Sequence, residues 1–407
     1  MPPMRTIVLA FVILLAASPA HAASPLLPEL DAISAGEPRF ATRLYGQLRA
    51  APGNLVVSPT SIRVAFAMAF AGARGTTATQ LRDTLALPEG AVLREGMATL
   101  LGRWEQLVKS GIVVRIANRF WGQRGHVFDD GFLTVLRETY RAPLGLLDLN
   151  NDAESRRVVN LWVDEQTEHK IPEILAAGSL KNAGGLVLAN CVYLKASWQS
   201  SFAEKQTESG PFRGAGYERR VPLMHNIASF GYAELDGNQI LELPYQSGEL
   251  VMDVLLPRRI DGLARLEQQL VNGALPGWLG RLGNAREIDL TLPRFHSSSS
   301  VDLKETLKAM GMPAPFLPDV ADFSGMDATH ELYVGSVAHK ATIDVEEHGT
   351  EGAAATITSY RVTARPSEPE PPKPIVFRAD HPFVYVIRDP RTDAILFIGR
   401  LVNPAAR

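Results

Sequence analysis

Thr342-Ile343-Asp344-Val345-Glu346-Glu347-His348-Gly349-Thr350-Glu351-Gly352-Ala353-Ala354-Ala355-Thr356 is the stretch that decides the fold. Residues 342–346 alternate in polarity and predict a half-buried strand. A glycine then breaks the pattern, and a run of small residues follows with no proline until Pro366. Such a run is too small and too polar to anchor a core, yet nothing in it prevents β pairing. It can enter a sheet without being obliged to, so the rest of the chain must supply a sheet that could accept it.

Several segments qualify. Asn54-Leu55-Val56-Val57-Ser58-Pro59-Thr60-Ser61-Ile62 predicts a short strand running into a helix, with Ser58 as N-cap and Pro59 in the first turn. From Ala65 to Ala71 that helix is apolar all round, hence buried, and Gly72-Ala73-Arg74-Gly75 ends it before another begins at Thr76 or Thr77. Residues 112–121 form a strand rich in β-branched side chains, and Val158, Leu161, Trp162 and Val163 mark a helix that stops before Pro172. Residues 186–194 are almost wholly apolar, as befits a central strand covered on both faces. Asn190 in its middle must find partners, either as a satisfied core residue or in a cluster governing how neighbouring strands part. Residues 241–245 and 250–256 form a hairpin, 287–292 alternate strictly, and 332–345 give a further strand. Residues 383–387 and 395–398 close the chain as a hairpin about Asp389-Pro390-Arg391. Strands and helices interleave without a βαβ rhythm, so the expected class is α+β in one domain.

Composition excludes several functions. The 407 residues are 46% hydrophobic and 21% charged with a formal net charge of −3, which gives no electrostatic case for nucleic acid or an anionic membrane. Arg219-Arg220 and Arg258-Arg259 are only pairs. Arg5 precedes an apolar run over 7–17, and Ala20-His21-Ala22 fits a small-x-small cleavage site. The run is too short to span a bilayer, so we expect a leader over 1–22, a tail over 23–38 and the folded domain over 39–407. Cys191, the single cysteine, precludes an intrachain disulfide and reads as a buried structural thiol. Residues 365–374, with five prolines, predict an exposed polyproline-like stretch. No nucleophile elbow, zinc helix, phosphate loop or dinucleotide fingerprint occurs, and the nine histidines lack metal-ligand spacing. Glu346-Glu347-His348 reads as a charged strand end and not as an acid/base cluster. We expect no catalytic residues, cofactor or metal.

Taken in order, these motifs resemble the serpins from about Arg39 to Pro404. The resemblance rests on residues 54–62, Gly72-Ala73-Arg74-Gly75-Thr76-Thr77, Val159-Asn160-Leu161-Trp162-Val163, Asn190 to Lys195 with Trp198, and Glu242-Leu243-Pro244-Tyr245. Leu292-Pro293-Arg294-Phe295, the hinge 346–356, Asp380-His381-Pro382-Phe383 and Phe397-Ile398-Gly399-Arg400 complete it. It implies three β-sheets surrounded by about eight or nine helices, with an exposed reactive loop over about 347–374. It also implies inhibition of serine proteases, and of cysteine proteases in some members. The target cleaves the loop to form an acyl-enzyme; the loop then inserts into the main sheet and traps the protease. Loop insertion is a general property of the family and is taken as such. The expected molecule is an exported bacterial inhibitor, periplasmic or extracellular and monomeric, whose partner is a covalently bound protease.

Carried over by position, Ser58, Ser61, Asn190 and His339 match the cluster where the central strands part. Trp198 matches the loop-entry site, and Arg294 with Glu347 a salt bridge at the top of the sheet. The hinge comprises Glu347, Gly349, Thr350, Glu351, Gly352, Ala353, Ala354, Ala355 and Thr356. On insertion Thr350, Gly352, Ala354, Thr356 and Thr358 would face inward, and Glu351, Ala353, Ala355, Ile357 and Ser359 outward. The inward set is small and uncharged. About a dozen new backbone hydrogen bonds at roughly 1 kcal/mol each would release on the order of 10 kcal/mol, comparable to the stability of a whole domain. Gly352 departs from the alanine usual in the family and adds backbone entropy. Counting forward from Gly349 places the reactive bond at Thr363–Ala364, which suits an elastase- or subtilisin-like protease. Arg361–Val362 would suit a trypsin-like one. Counting back from Phe377 lands several residues later, and the proline-rich insert accounts for the difference. A non-inhibitory carrier is the alternative within the family, and would be expected to hold charged or bulky residues at the inward hinge positions. A secreted hydrolase is disfavoured by the missing motifs.

Overall fold

The computed structural model describes residues 28–180, 185–214, 216–283, 285–350 and 372–406. In chain order the strands are β1 (Leu55–Val57), β2 (Val113–Gln123), β3 (Gly145–Leu147), β4 (Leu186–Ser197) and β5 (Glu208–Gly214). Next come β6 (Tyr217–Leu235), β7 (Asn238–Pro244), β8 (Val251–Pro257), β9 (Ala285–Pro293) and β10 (Phe295–Asp302). The last five are β11 (Val334–Glu346), β12 (Gly349–Thr350), β13 (Ile375–Arg378), β14 (Phe383–Arg388) and β15 (Ile395–Leu401). The helices are α1 (Pro28–Ser34), α2 (Glu37–Leu48), α3 (Pro59–Gly72), α4 (Gly75–Leu85) and α5 (Gly90–Gln106). They continue with α6 (Asp130–Glu138), α7 (Asp152–Gln166), α8 (Leu263–Val271), α9 (Leu275–Leu279) and α10 (Lys304–Ala309).

One sheet has the order β10-β11-β12-β4-β2-β3, and β11 also pairs directly with β4. The other runs β1-β15-β14-β8-β7-β6-β9-β13, with β5 added on β6. The second and third sheets expected from the resemblance form two lobes of this one sheet. They are joined because β6 is 19 residues long: it pairs with β5 at its start, β9 through its middle and β7 at its end. The mixed α/β architecture is that of the family.

Local chemistry explains the parts that frame the site. Ser58 caps α3, its Oγ accepting the Ser61 N–H at 3.3 Å, with Pro59 in the first turn. β4 is covered on both faces, as its unbroken apolar run predicts. Leu186, Leu188, Val192 and Leu194 join the main core, whereas Val187, Ala189 and Cys191 join a second cluster with Val159 and Val163 of α7. The leucines and valines among them each contribute roughly 2 kcal/mol of burial. Cys191 is a buried free thiol that burial pushes up to about 12, so it packs as a small hydrophobe.

Candidate functional site: the mouth of the six-stranded sheet

β4 and β11 run parallel and pair from Leu186 and Val334 up to Val192 and Ala341. Beyond that point they diverge, and the chain that leaves β11 turns back between them. Thr350 pairs with Val345 on β11 and Ala196 on β4, and Gly349 with Glu346 and Ser197. Of the stretch expected to be exposed from about residue 347, Glu347, Gly349 and Thr350 are therefore buried, with Glu347 3% and Thr350 0% exposed, and His348 is half-buried. Only glycine fits the first rung. Gly349 has φ +155°, and a Cβ there would stand 2.1 Å from the Ala196 carbonyl oxygen and 2.7 Å from the Ser197 Cα. Gly349→Ala is expected to expel both rungs, so that the Thr350 amide exchanges hydrogen rapidly while amides in the middle of β4 stay protected. Wild-type protection at Thr350 would show that the rung does not depend on the glycine.

Several groups hold this turn. The Trp198 ring stacks on Tyr245 with centroids 4.5 Å apart, and its Nε1–H donates to the Glu346 carbonyl at 2.9 Å. The Trp198 and Phe202 amides donate to the His348 and Glu347 carbonyls, each at 2.9 Å. Beneath, the Thr350 and Tyr245 hydroxyls are 2.6 Å apart. The Glu347 carboxylate accepts from Arg294 at 2.5 Å and Thr207 at 2.7 Å. Burial alone would raise its pKa, but the bonds from Arg294 and Thr207 outweigh that and hold it below the usual carboxylate range. The same bond raises Arg294.

Lower down, where β4 and β11 are still zipped, His339 lies opposite Asn190 and Asn190 opposite Asn118 of β2. The Ser58 amide donates to His339 Nε2 at 3.2 Å, so Nδ1 carries the proton and donates to Asn190 Oδ1. The Asn190 amide nitrogen donates to the Ser61 hydroxyl at 2.6 Å, the Ser61 carbonyl at 3.0 Å and Asn118 Oδ1. Ser58, Ser61, Asn190 and His339 are thus brought into one buried cluster across the seam. Burial drives His339 down to about 3. The unfolded chain therefore takes up a proton that the folded one refuses between about pH 6.5 and 3, and stability falls as pH drops through that window. The expected loss is about 2 kcal/mol between pH 8 and pH 5. Unfolding free energies from urea titrations of wild type and His339→Gln should differ in their change across that range by this amount; parallel pH dependences would show that His339 is not the titrating group.

Sequence reasoning missed Asn118, Thr207 and the contact role of Tyr245. Asn118 had a signal: it stands at the parity of the apolar Ile112, Val114 and Ile116. Thr207 had none, because its partner is 140 residues away. Glu351, Gly352, Ala353, Ala354, Ala355 and Thr356 lie outside the described residues, as do Arg361, Val362, Thr363 and Ala364. Among the described residues no helix is long and apolar enough to cross a membrane, and no group of three His, Cys, Asp or Glu is placed to hold a metal ion.

A family model described as Serpin (serine protease inhibitor) matches residues 35–404. An uncharacterized serpin-like protein of Thermococcus kodakarensis is 36% identical over 379 residues, covering 93% of this chain and 86% of its own. The leukocyte elastase inhibitor of Bos taurus is 37% identical over 388 residues, covering 92% and 100%. Among solved structures, Serpin48, described as a highly specific serpin in the insect Tenebrio molitor, superimposes with TM-score 0.80 at 27% identity over 92% of this chain and 98% of that one. None of the three is bacterial, so they carry no argument for the bacterial origin expected above. The parted strands, the hinge seated between them and the match across nearly the whole folded chain place the protein in the serpin family, whose members are generally non-catalytic protease inhibitors that act by loop insertion.

Proposed function

We propose that this chain is a suicide inhibitor of an elastase- or subtilisin-like serine protease, cleaved at Thr363–Ala364. The observation that carries inhibition is β12: the hinge already occupies the first two positions of the strand it would become. Continuing that register would bring residue 356 opposite His339 on one side and Asn190 on the other, so the inserting chain would replace their direct hydrogen bond. Thr356, with a hydroxyl that both donates and accepts, suits that place. The small residues at 363 and 364 support the target class, as does the name of the bovine relative.

Incubation with elastase, subtilisin and trypsin tests this. A denaturant-stable complex should form with the first two, and the released C-terminal peptide should begin at Ala364. A peptide beginning at Val362 would assign a trypsin-like target through Arg361. Complete loop cleavage by all three without any complex would favour the carrier alternative. We also take the protein to be exported to the periplasm or medium, on the strength of the leader-like residues 1–22, and to act there as a monomer. Secreted material starting before Ala20 would contradict that.

A further inference from the structure

Beside the seam lies a cavity of about 260 Å³, at the edge of the sheet where β2 runs past the end of β3. β3 pairs with β2 only through residues 121–123, so the outer edge of β2 at Ile116 to Arg119 is open. Arg119, Tyr140, Arg141, Trp162, Gln166 and Asn118 line this space. Arg119 is the unusual member. Its guanidinium lies 4.5 Å from the Trp121 ring centroid and 5.8 Å from that of Trp162, and its Nε–H donates to the Pro143 carbonyl at 3.0 Å. Among the described residues no carboxylate pairs with it, although burial already lowers its pKa. Other half-buried arginines do have one: Arg103 has Asp389 and Glu249, and Arg156 has Asp152.

We infer that this cavity binds a small aromatic carboxylate, whose anionic head pairs with the Arg119 guanidinium and whose ring lies against Trp162 and Tyr140. A planar fork with unused N–H groups, set between aromatic faces, suits a carboxylate in two-point contact. Site size and mixed apolar and polar walls match a single-ring or fused two-ring ligand. The cavity also communicates with the sheet. Its Asn118 donates to the Ser61 carbonyl at 3.3 Å and accepts from Asn190, so it belongs to the cluster that must rearrange when β4 and β11 part. Val64, one turn along α3 from Ser61, forms another part of the wall. A ligand seated there braces β2 against α3 and α7 in the closed arrangement. By reciprocity, strand insertion lowers its affinity, and its binding disfavours the inserted state.

The test uses 1-naphthoate as probe and 1-naphthalenemethanol as its neutral counterpart, titrated by tryptophan fluorescence and calorimetry into intact protein and into protein cleaved in the reactive loop. Saturable binding of 1-naphthoate to the intact form is expected, weakened about tenfold or more by Arg119→Gln, the equivalent of one charge-assisted hydrogen bond. Arg119→Lys, which keeps the charge but loses the fork, should fall between. The neutral alcohol should bind wild type and Arg119→Gln alike, and the cleaved form should bind 1-naphthoate more weakly than the intact form. Absence of saturable binding, or undiminished binding by Arg119→Gln, overturns the site. Equal affinity of intact and cleaved protein overturns its coupling to the sheet. Should Arg119→Gln fail to fold, the comparison of acid with alcohol on wild type decides the first point. None of these outcomes depends on which protease is the target.

Discussion

Thr350→Arg is expected to leave the protein a substrate and abolish trapping. Thr350 is wholly buried, and its hydroxyl meets that of Tyr245, itself 0% exposed. An arginine there would carry its guanidinium between β4 and β11 into a space whose nearest polar partner is a phenol. A buried charge without a counter-ion costs about 3–5 kcal/mol. Spent against the insertion step, that slows it at least about a hundredfold, long enough for the acyl-enzyme to hydrolyse. Gels and turnover assays should show complete loop cleavage with no stable complex, whereas Thr350→Ser, which retains the hydroxyl, should trap nearly as well as wild type. Stoichiometric complexes from Thr350→Arg would mean that insertion does not proceed through this position.

Glu347→Lys is expected to open the mouth of the sheet without cleavage. The carboxylate is almost fully covered, and Arg294 and Thr207 both donate to it. Lysine would set two cations against one another and leave Thr207 without its acceptor. Breaking such a pair from one side costs about 3–5 kcal/mol. The hinge would be left to the bonds from Trp198 and Phe202 and the Thr350–Tyr245 contact, and once it lifts away the vacated edges of β4 and β11 would be free to accept a loop from another molecule. Size exclusion after mild warming should show oligomers in the variant at temperatures where wild type stays monomeric. A variant that remains monomeric would show that the pair does not restrain the hinge.

Much of this was legible in the sequence wherever one periodicity dominated. The run 186–194 announced a strand covered on both faces, and Ser58-Pro59 announced the start of α3. Other parts followed no local rule. β6 alternates irregularly, because it bends from one lobe of its sheet to the other and changes partners twice, so neither face stays buried throughout. β12 has two residues and hence no period; its pairing is dictated by the gap above Val192 and Ala341 and by the missing side chain of Gly349. The contacts of Glu347 with Thr207 and Arg294 link segments 140 and 53 residues apart, which no spacing argument reaches.

The two seated residues bear on timing as well as on stability. Starting a strand in a sheet is slow, because the chain must close a loop before any rung repays the lost freedom. Here that closure is complete before a protease arrives. What remains after cleavage is elongation, each further residue adding its rung to a ladder already in register. A trap of this kind is a race between zipping and deacylation, and this molecule enters it with the slowest lap already run.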